Sequence, residues 1–147
     1  MSTLSWIGWV EKMFGNIARR FLIWCRFIPR VDLVGRVQAT HPETTALTAD
    51  ALVVVRDGSI EKWACFQCPG GCGQKIQLSL SRSRRPRWSV RLDWLGRPTV
   101  EPSIRQTNQC HCHFWVRQGQ VQWCADSPKI KSHPNRSREM EAAIKAR

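Results

Sequence analysis

Along the first 28 residues, apolar side chains return at Trp6, Val10, Met13, Ile17, Phe21, Trp24 and Ile28. Steps of three and four put them on one face of a helix, and Pro29 marks its stop. From Val31 the rhythm changes. Residues 34–40 read as a first strand, and residues 41–50, with Pro42 and its threonines, as a loop. The run 51–56 reads as a short buried strand closed by Asp57-Gly58, a strong turn signal. Residues 60–66 then lead into a cysteine cluster. Ile76, Leu78 and Leu80 alternate with polar neighbours, and Trp88, Val90, Leu92 and Trp94 repeat the alternation expected of half-buried strands. Residues 81–86 read as an arginine-rich hairpin loop between them. The turn at Gly96-Arg97-Pro98 leads into a strand at 99–104, and strands at 114–117 and 121–124 join at Gly119. Trp88, Trp94 and Trp123 fall on the alternating positions expected to be buried. The expected fold is mainly β, a small meander of short antiparallel strands behind an N-terminal amphipathic helix. Residues 1–30 carry the helix, 31–126 the β-rich domain, and 127–147 a basic tail poor in aliphatic residues.

At 147 residues there is room for one compact domain with appendages. Lys and Arg outnumber Asp and Glu by 23 to 11, a formal charge of +12. A surplus of that size favours acidic partners: nucleic acid, an anionic membrane surface or an acidic protein. Arg82, Arg84, Arg85, Arg87 and Arg91 concentrate it in one stretch. The apolar run 21–25 falls far short of the roughly 20 residues a membrane span needs. Peripheral membrane contact through the tryptophan-bearing helix remains open, although packing on its own domain or a partner is the expected role. No basic leader precedes the apolar stretch, and Glu11 and Lys12 interrupt it, so the expected location is cytoplasmic.

Seven cysteines in such a compartment point to metal more than to disulfides. Two clusters stand out, Cys65-Phe-Gln-Cys68-Pro-Gly-Gly-Cys72-Gly73 and Cys110-His-Cys112-His113. Zinc takes four soft or borderline ligands in a tetrahedron, usually delivered as two close pairs from two turns. The expected ligands are Cys68, Cys72, Cys110 and His113, around one structural zinc. Cys65 is the main rival, and Cys112 and His111 are the next candidates. Cys25 and Cys124 stand alone and are expected in the core. A four-ligand site is closed, so its zinc would staple a small domain and leave no position for a catalytic water.

With these residues laid out, the centre of the chain resembles BubE, a family of small cysteine-rich proteins encoded beside ubiquitin-like conjugation enzymes in bacterial anti-phage operons. The resemblance runs over residues 63–124. It rests on Cys68-Pro-Gly-Gly-Cys-Gly73, Trp88, Thr99-Val-Glu-Pro-Ser-Ile104, Cys110-His-Cys-His-Phe114, Gly119 and Trp123-Cys124. Many relatives carry a further cysteine where this chain has Gly70, and tend to have serine where Cys112 stands. What the resemblance implies is a serine-type peptidase that processes or deconjugates the ubiquitin-like protein of its operon, with Ser103 as nucleophile. A serine attacks an acyl carbon only when a base takes its proton. If His113 binds zinc, the base is His111 or Glu101; if His113 is the base, Cys65 or Cys112 completes the metal site.

Partners implied by the resemblance are a ubiquitin-like protein and its conjugation enzymes. A second reading is a zinc-ribbon module binding nucleic acid, for which the arginines would neutralise phosphates; a third is a non-catalytic adaptor of the same pathway.

Overall fold

The computed structural model of the chain describes residues 3–108 and 110–128. All but the start of the expected tail, 127–147, therefore lies outside the described residues. A helix, α1 (Thr3–Trp24), precedes eight strands: β1 (Val34–Gln38), β2 (Ala51–Asp57), β3 (Ile60–Gln67), β4 (Lys75–Ser79), β5 (Ser89–Leu92), β6 (Pro98–Arg105), β7 (His113–Arg117) and β8 (Gln120–Trp123). The mainly β character and the helix are as expected. The short strands follow one another as a meander within two four-stranded sheets, ordered β1-β2-β3-β4 and β5-β6-β7-β8. One pair, β1 with β2, is parallel; the connection 39–50 supplies the long crossover that a parallel pair requires.

The two sheets share one core. Leu52, Val54, Ala64, Phe66, Ile76 and Leu78 from the first meet Val90, Val100, Ile104, Phe114 and Val116 from the second. Phe66 and Phe114 touch edge to face across the interface, 6.3 Å between ring centroids, the arrangement that aromatic quadrupoles favour. β2 is covered on both faces, since Val53 and Val55 pack outward with Leu47 and Cys65. That accounts for its unbroken run of apolar residues. Trp88 joins the sheets by hydrogen bonds: its backbone N–H donates to Ser79 O (2.9 Å) and its indole N–H to Ser103 O (3.3 Å).

Two expectations about burial fail. Trp94 is 72% exposed and Trp123 42%. Trp94 lies beyond the end of β5, in a turn where Asp93 Oδ1 accepts from the N–H groups of Leu95 and Arg97, so strand alternation no longer applies. Helix α1 docks on that same turn, but not by its apolar stripe. Gly15 lies so close that an added Cβ would sit 2.6 Å from Trp94 O, and the buried Arg19 donates to Leu95 O at 2.6 Å. Met13, Phe14, Ile17, Phe21 and Trp24 are exposed. No helix among the described residues is long and apolar enough to cross a membrane.

Candidate functional site

The turn after β3 and the loop before β7 bring four thiols together. Pro69, Gly70 and Gly71 let the chain reverse between Cys68 and Cys72, with Gly71 in the left-handed region at φ 77°. The turn is closed by Gly71 N–H to Cys68 O (3.1 Å) and Cys68 N–H to Gln74 O (2.8 Å). On the other side, Asn108 Oδ1 accepts from Cys110 N–H, and Gln106 N–H donates to Cys112 O. The Sγ atoms of Cys68, Cys72 and Cys110 all lie within 4.8 Å of one another. Cys68 Sγ stands 3.7 Å from Cys110 Sγ and 3.9 Å from Cys112 Sγ. Thiolates at about 2.3 Å from a tetrahedral zinc are separated by about 3.8 Å, so these spacings suit a metal ion.

Three of the four expected ligands thus come together, and Cys112 stands beside them. Burial pushes the Cys68 thiol upward and raises that of Cys112 to about 11. For Cys110 burial also acts upward, but hydrogen bonds from Cys112, Cys72 and Cys68 outweigh it and leave the thiol lowered. Cys65 is elsewhere: it faces the outer cluster of the first sheet, 3.8 Å from His41 Nδ1.

His113, expected among the ligands, points to a different set of groups. Its Nε2 lies 3.1 Å from Ser103 Oγ and its Nδ1 lies 2.6 Å from Asp126 Oδ1. With the ring neutral and its proton on Nδ1, Nδ1–H donates to the carboxylate and Nε2 accepts from the serine hydroxyl. The sheet produces this alignment. Register shifts between Val100 and Ile104, so β6 bulges at residues 101–103. Ile104 stays in the core opposite Phe114, while Ser103 on the bulge and His113, paired with Arg105, turn away from it. The turn after β8 then carries Asp126 back to the ring. It is tied down by Cys124 N–H to His113 O (3.0 Å), Ser127 N–H to Cys124 O (3.0 Å) and His113 N–H to Ser127 Oγ (3.2 Å). Arg105 holds the far carboxylate oxygen at 3.3 Å.

The hydrogen bond from His113 holds the Asp126 carboxyl below the usual aspartate range, with the charges of His113 and Arg105 adding to it. The two other candidates for a base lie apart: His111 is exposed in a left-handed turn (φ 49°), and Glu101 pairs with Arg91 at 3.7 Å. Nor does Cys124 stand alone: it is half-buried, and its ligand atom lies within 4.8 Å of those of His113 and Asp126. Asp126 escaped sequence reasoning because a single aspartate after the last strand carries no period or motif. Its one signal is its place in the turn closing on β7, which exists only in three dimensions.

Ser, His and Asp in a hydrogen-bonded line are the parts of a serine hydrolase. A family model for the serine protease of a bacterial ubiquitination-like system (BubE) matches residues 37–124, more than half of the chain. The chain belongs to the BubE family. The BubE match takes in both cysteine turns, Ser103 and His113, and ends two residues before Asp126. No curated protein and no solved structure matches the chain.

Proposed function

We propose that the chain is a cytoplasmic serine-type peptidase that processes or deconjugates a ubiquitin-like protein in an anti-phage conjugation pathway. The observation that carries this reading is the line Ser103–His113–Asp126, at 3.1 and 2.6 Å, in a member of a family described as a serine protease. In the reaction, Ser103 Oγ attacks the scissile carbonyl as its proton passes to His113 Nε2. Asp126 fixes the ring's tautomer and stabilises the imidazolium. His113 then protonates the leaving amine, and water hydrolyses the acyl-serine with the same ring as base.

Cys68, Cys72, Cys110 and Cys112 would hold one zinc ion, replacing the set that included His113. The ring cannot serve both roles, and both its nitrogens already face Ser103 and Asp126. Bound there, zinc would supply folding energy and no Lewis-acid step, because four thiolates close its coordination. The cysteines join the β3–β4 turn to the residue immediately before His113, so the staple also holds the base in register.

The substrate reading draws on the arginines. Arg82, Arg84, Arg85 and Arg87 are exposed and have no acidic partner among the described residues. The loop they occupy leads directly into Trp88, which is bonded to Ser103 O. An acidic surface on the modifier would find this loop beside the nucleophile. The same arginines favour nucleic-acid binding as the second reading, with a pathway adaptor as the third. Intact mass spectrometry of the ubiquitin-like partner carrying a C-terminal extension tests the first. A defined shorter product with the wild type and none with Ser103→Ala is expected. No product from folded, zinc-loaded protein refutes peptidase action.

A further inference from the structure

The dyad that activates Ser103 has a thiol beside it that the proposed reaction does not use. Cys124, His113 and Asp126 present ligand atoms all within 4.8 Å of one another. They come from β7 and the turn after β8, which backbone hydrogen bonds clamp together. Sulfur, imidazole nitrogen and carboxylate oxygen form a donor set that suits zinc and softer cations over magnesium or calcium. We propose that His113, Cys124 and Asp126 form a second metal site, separate from the cysteine cluster, through which a divalent cation of the zinc class switches the peptidase off.

The inhibitory effect rests on the serine-peptidase reading; the site itself does not. Two ligands of a tetrahedral zinc at about 2.1 Å are separated by about 3.4 Å, against 2.6 Å between His113 Nδ1 and Asp126 Oδ1. An entering ion therefore wedges open that hydrogen bond and competes with Arg105 for the carboxylate. The balance of protons explains the inhibition. The Nδ1 lone pair goes to the metal, so the neutral ring carries its proton on Nε2. The thiol proton of Cys124 is released to solvent, and water fills the fourth position. An Nε2 that already holds a proton cannot take one from Ser103, and the nucleophile stays a hydroxyl.

The test uses the full chain with one zinc already bound, and zinc chloride as the probe. Equilibrium dialysis with metal analysis counts bound zinc. Labelling of Ser103 by a fluorophosphonate reports the activated serine without needing a substrate. Alkylation of Cys124 by iodoacetamide, followed by peptide mass, reports its access. The wild type is expected to take up a second equivalent, lose labelling at least tenfold, and protect Cys124. A chelator too weak to strip the first ion should reverse all three. In Cys124→Ser, the second equivalent should bind at least tenfold more weakly, and labelling, measured against that variant's own zinc-free rate, should resist zinc. Protection of Cys124 in the wild type keeps the test independent of whether the variant folds. Absence of a second equivalent, or its presence with Cys124 unprotected, overturns the site. Cys124 protection with labelling unchanged overturns the switch. If Ser103 never labels, the peptidase reading and the switch fall together, while the count and the alkylation still judge the site.

Discussion

Gly70→Ala separates a metal centre from a set of neighbouring thiols. Gly70 is not in the left-handed region, unlike Gly71 and Gly73, so its backbone accepts alanine. What the new methyl meets is the cluster itself: Cys112 Sγ at 2.5 Å, Cys110 Sγ at 3.2 Å and Cys68 Sγ at 3.4 Å. Carbon and sulfur need about 3.5 Å or more, so Cys112 Sγ must retreat by about 1 Å. In the metal-free chain it does so by turning about one side-chain bond. The loss is small, and is offset by about 0.4–1 kcal/mol from the stiffer unfolded chain. With zinc bound, ligand distances tolerate only about 0.2 Å, so the retreat removes a ligand. Perturbing residues that merely support ligands already costs about 10–100-fold in affinity. Losing one should cost at least about 100-fold, or about 2.8 kcal/mol. The assay is zinc affinity by competition with a chromophoric chelator, alongside urea denaturation with and without zinc. The expected result is apo stability within about 1 kcal/mol of wild type and a zinc-bound stability that falls with the affinity. Equal zinc affinity in the two proteins, or equal destabilisation with and without metal, refutes the four-thiolate centre.

The remaining predictions concern the triad, the cluster's protons and the arginines. Ser103→Ala and His113→Ala should each lower peptide-bond cleavage by on the order of 10⁴-fold or more, with zinc content and circular dichroism unchanged; Asp126→Asn, at a half-exposed carboxylate, should cost less, up to about 10⁴-fold. Because the folded Asp126 carboxyl is held low, its link to His113 favours the folded state above the ordinary aspartate range and is lost as pH falls through the lowered value. Asp126→Asn should therefore flatten the acid limb of stability below about pH 4, measured by urea denaturation. The metal-free thiols of Cys68 and Cys112 are raised and so protonated at neutral pH. Zinc must displace both protons, together with that of any other ligand thiol still protonated, so its affinity should fall by at least about 100-fold per unit of acidification, read by chelator competition from about pH 8 to 6. Joint replacement of Arg84, Arg85 and Arg87 by Glu should raise KM for the modifier with little change in kcat; a wild-type KM indifferent to salt would argue against electrostatic docking.

Local chemistry was enough to place most of this protein's elements. Alternation at 76–80 and 88–94, the Asp57-Gly58 turn and the Gly119 turn each specify a strand or hairpin from neighbouring residues alone, and those elements stand where the pattern put them, save that β5 ends at Leu92, short of Trp94. Close spacing likewise singled out Cys68 with Cys72, because thiols a few residues apart in a glycine turn share one side of it, and it paired Cys110 with His113, of which the structure brings only Cys110 to the cluster. Everything that depends on distant segments meeting was decided by the tertiary structure. The parallel pairing of β1 with β2 and the division into two sheets follow from how loops close, and no local period encodes that. The exposure of α1's apolar stripe was equally hidden: docking depends on Gly15 and Arg19 finding the turn at Trp94 and Leu95. The separation of His113 from the cluster of Cys68, Cys72, Cys110 and Cys112 is the sharpest case. Cys112 is the last loop residue before β7 and His113 the first residue of that strand, and the two side chains part there. Cys112 turns inward toward the thiols, while His113 turns outward to Ser103 on a bulge and to Asp126 on a turn that only the folded sheet returns to it.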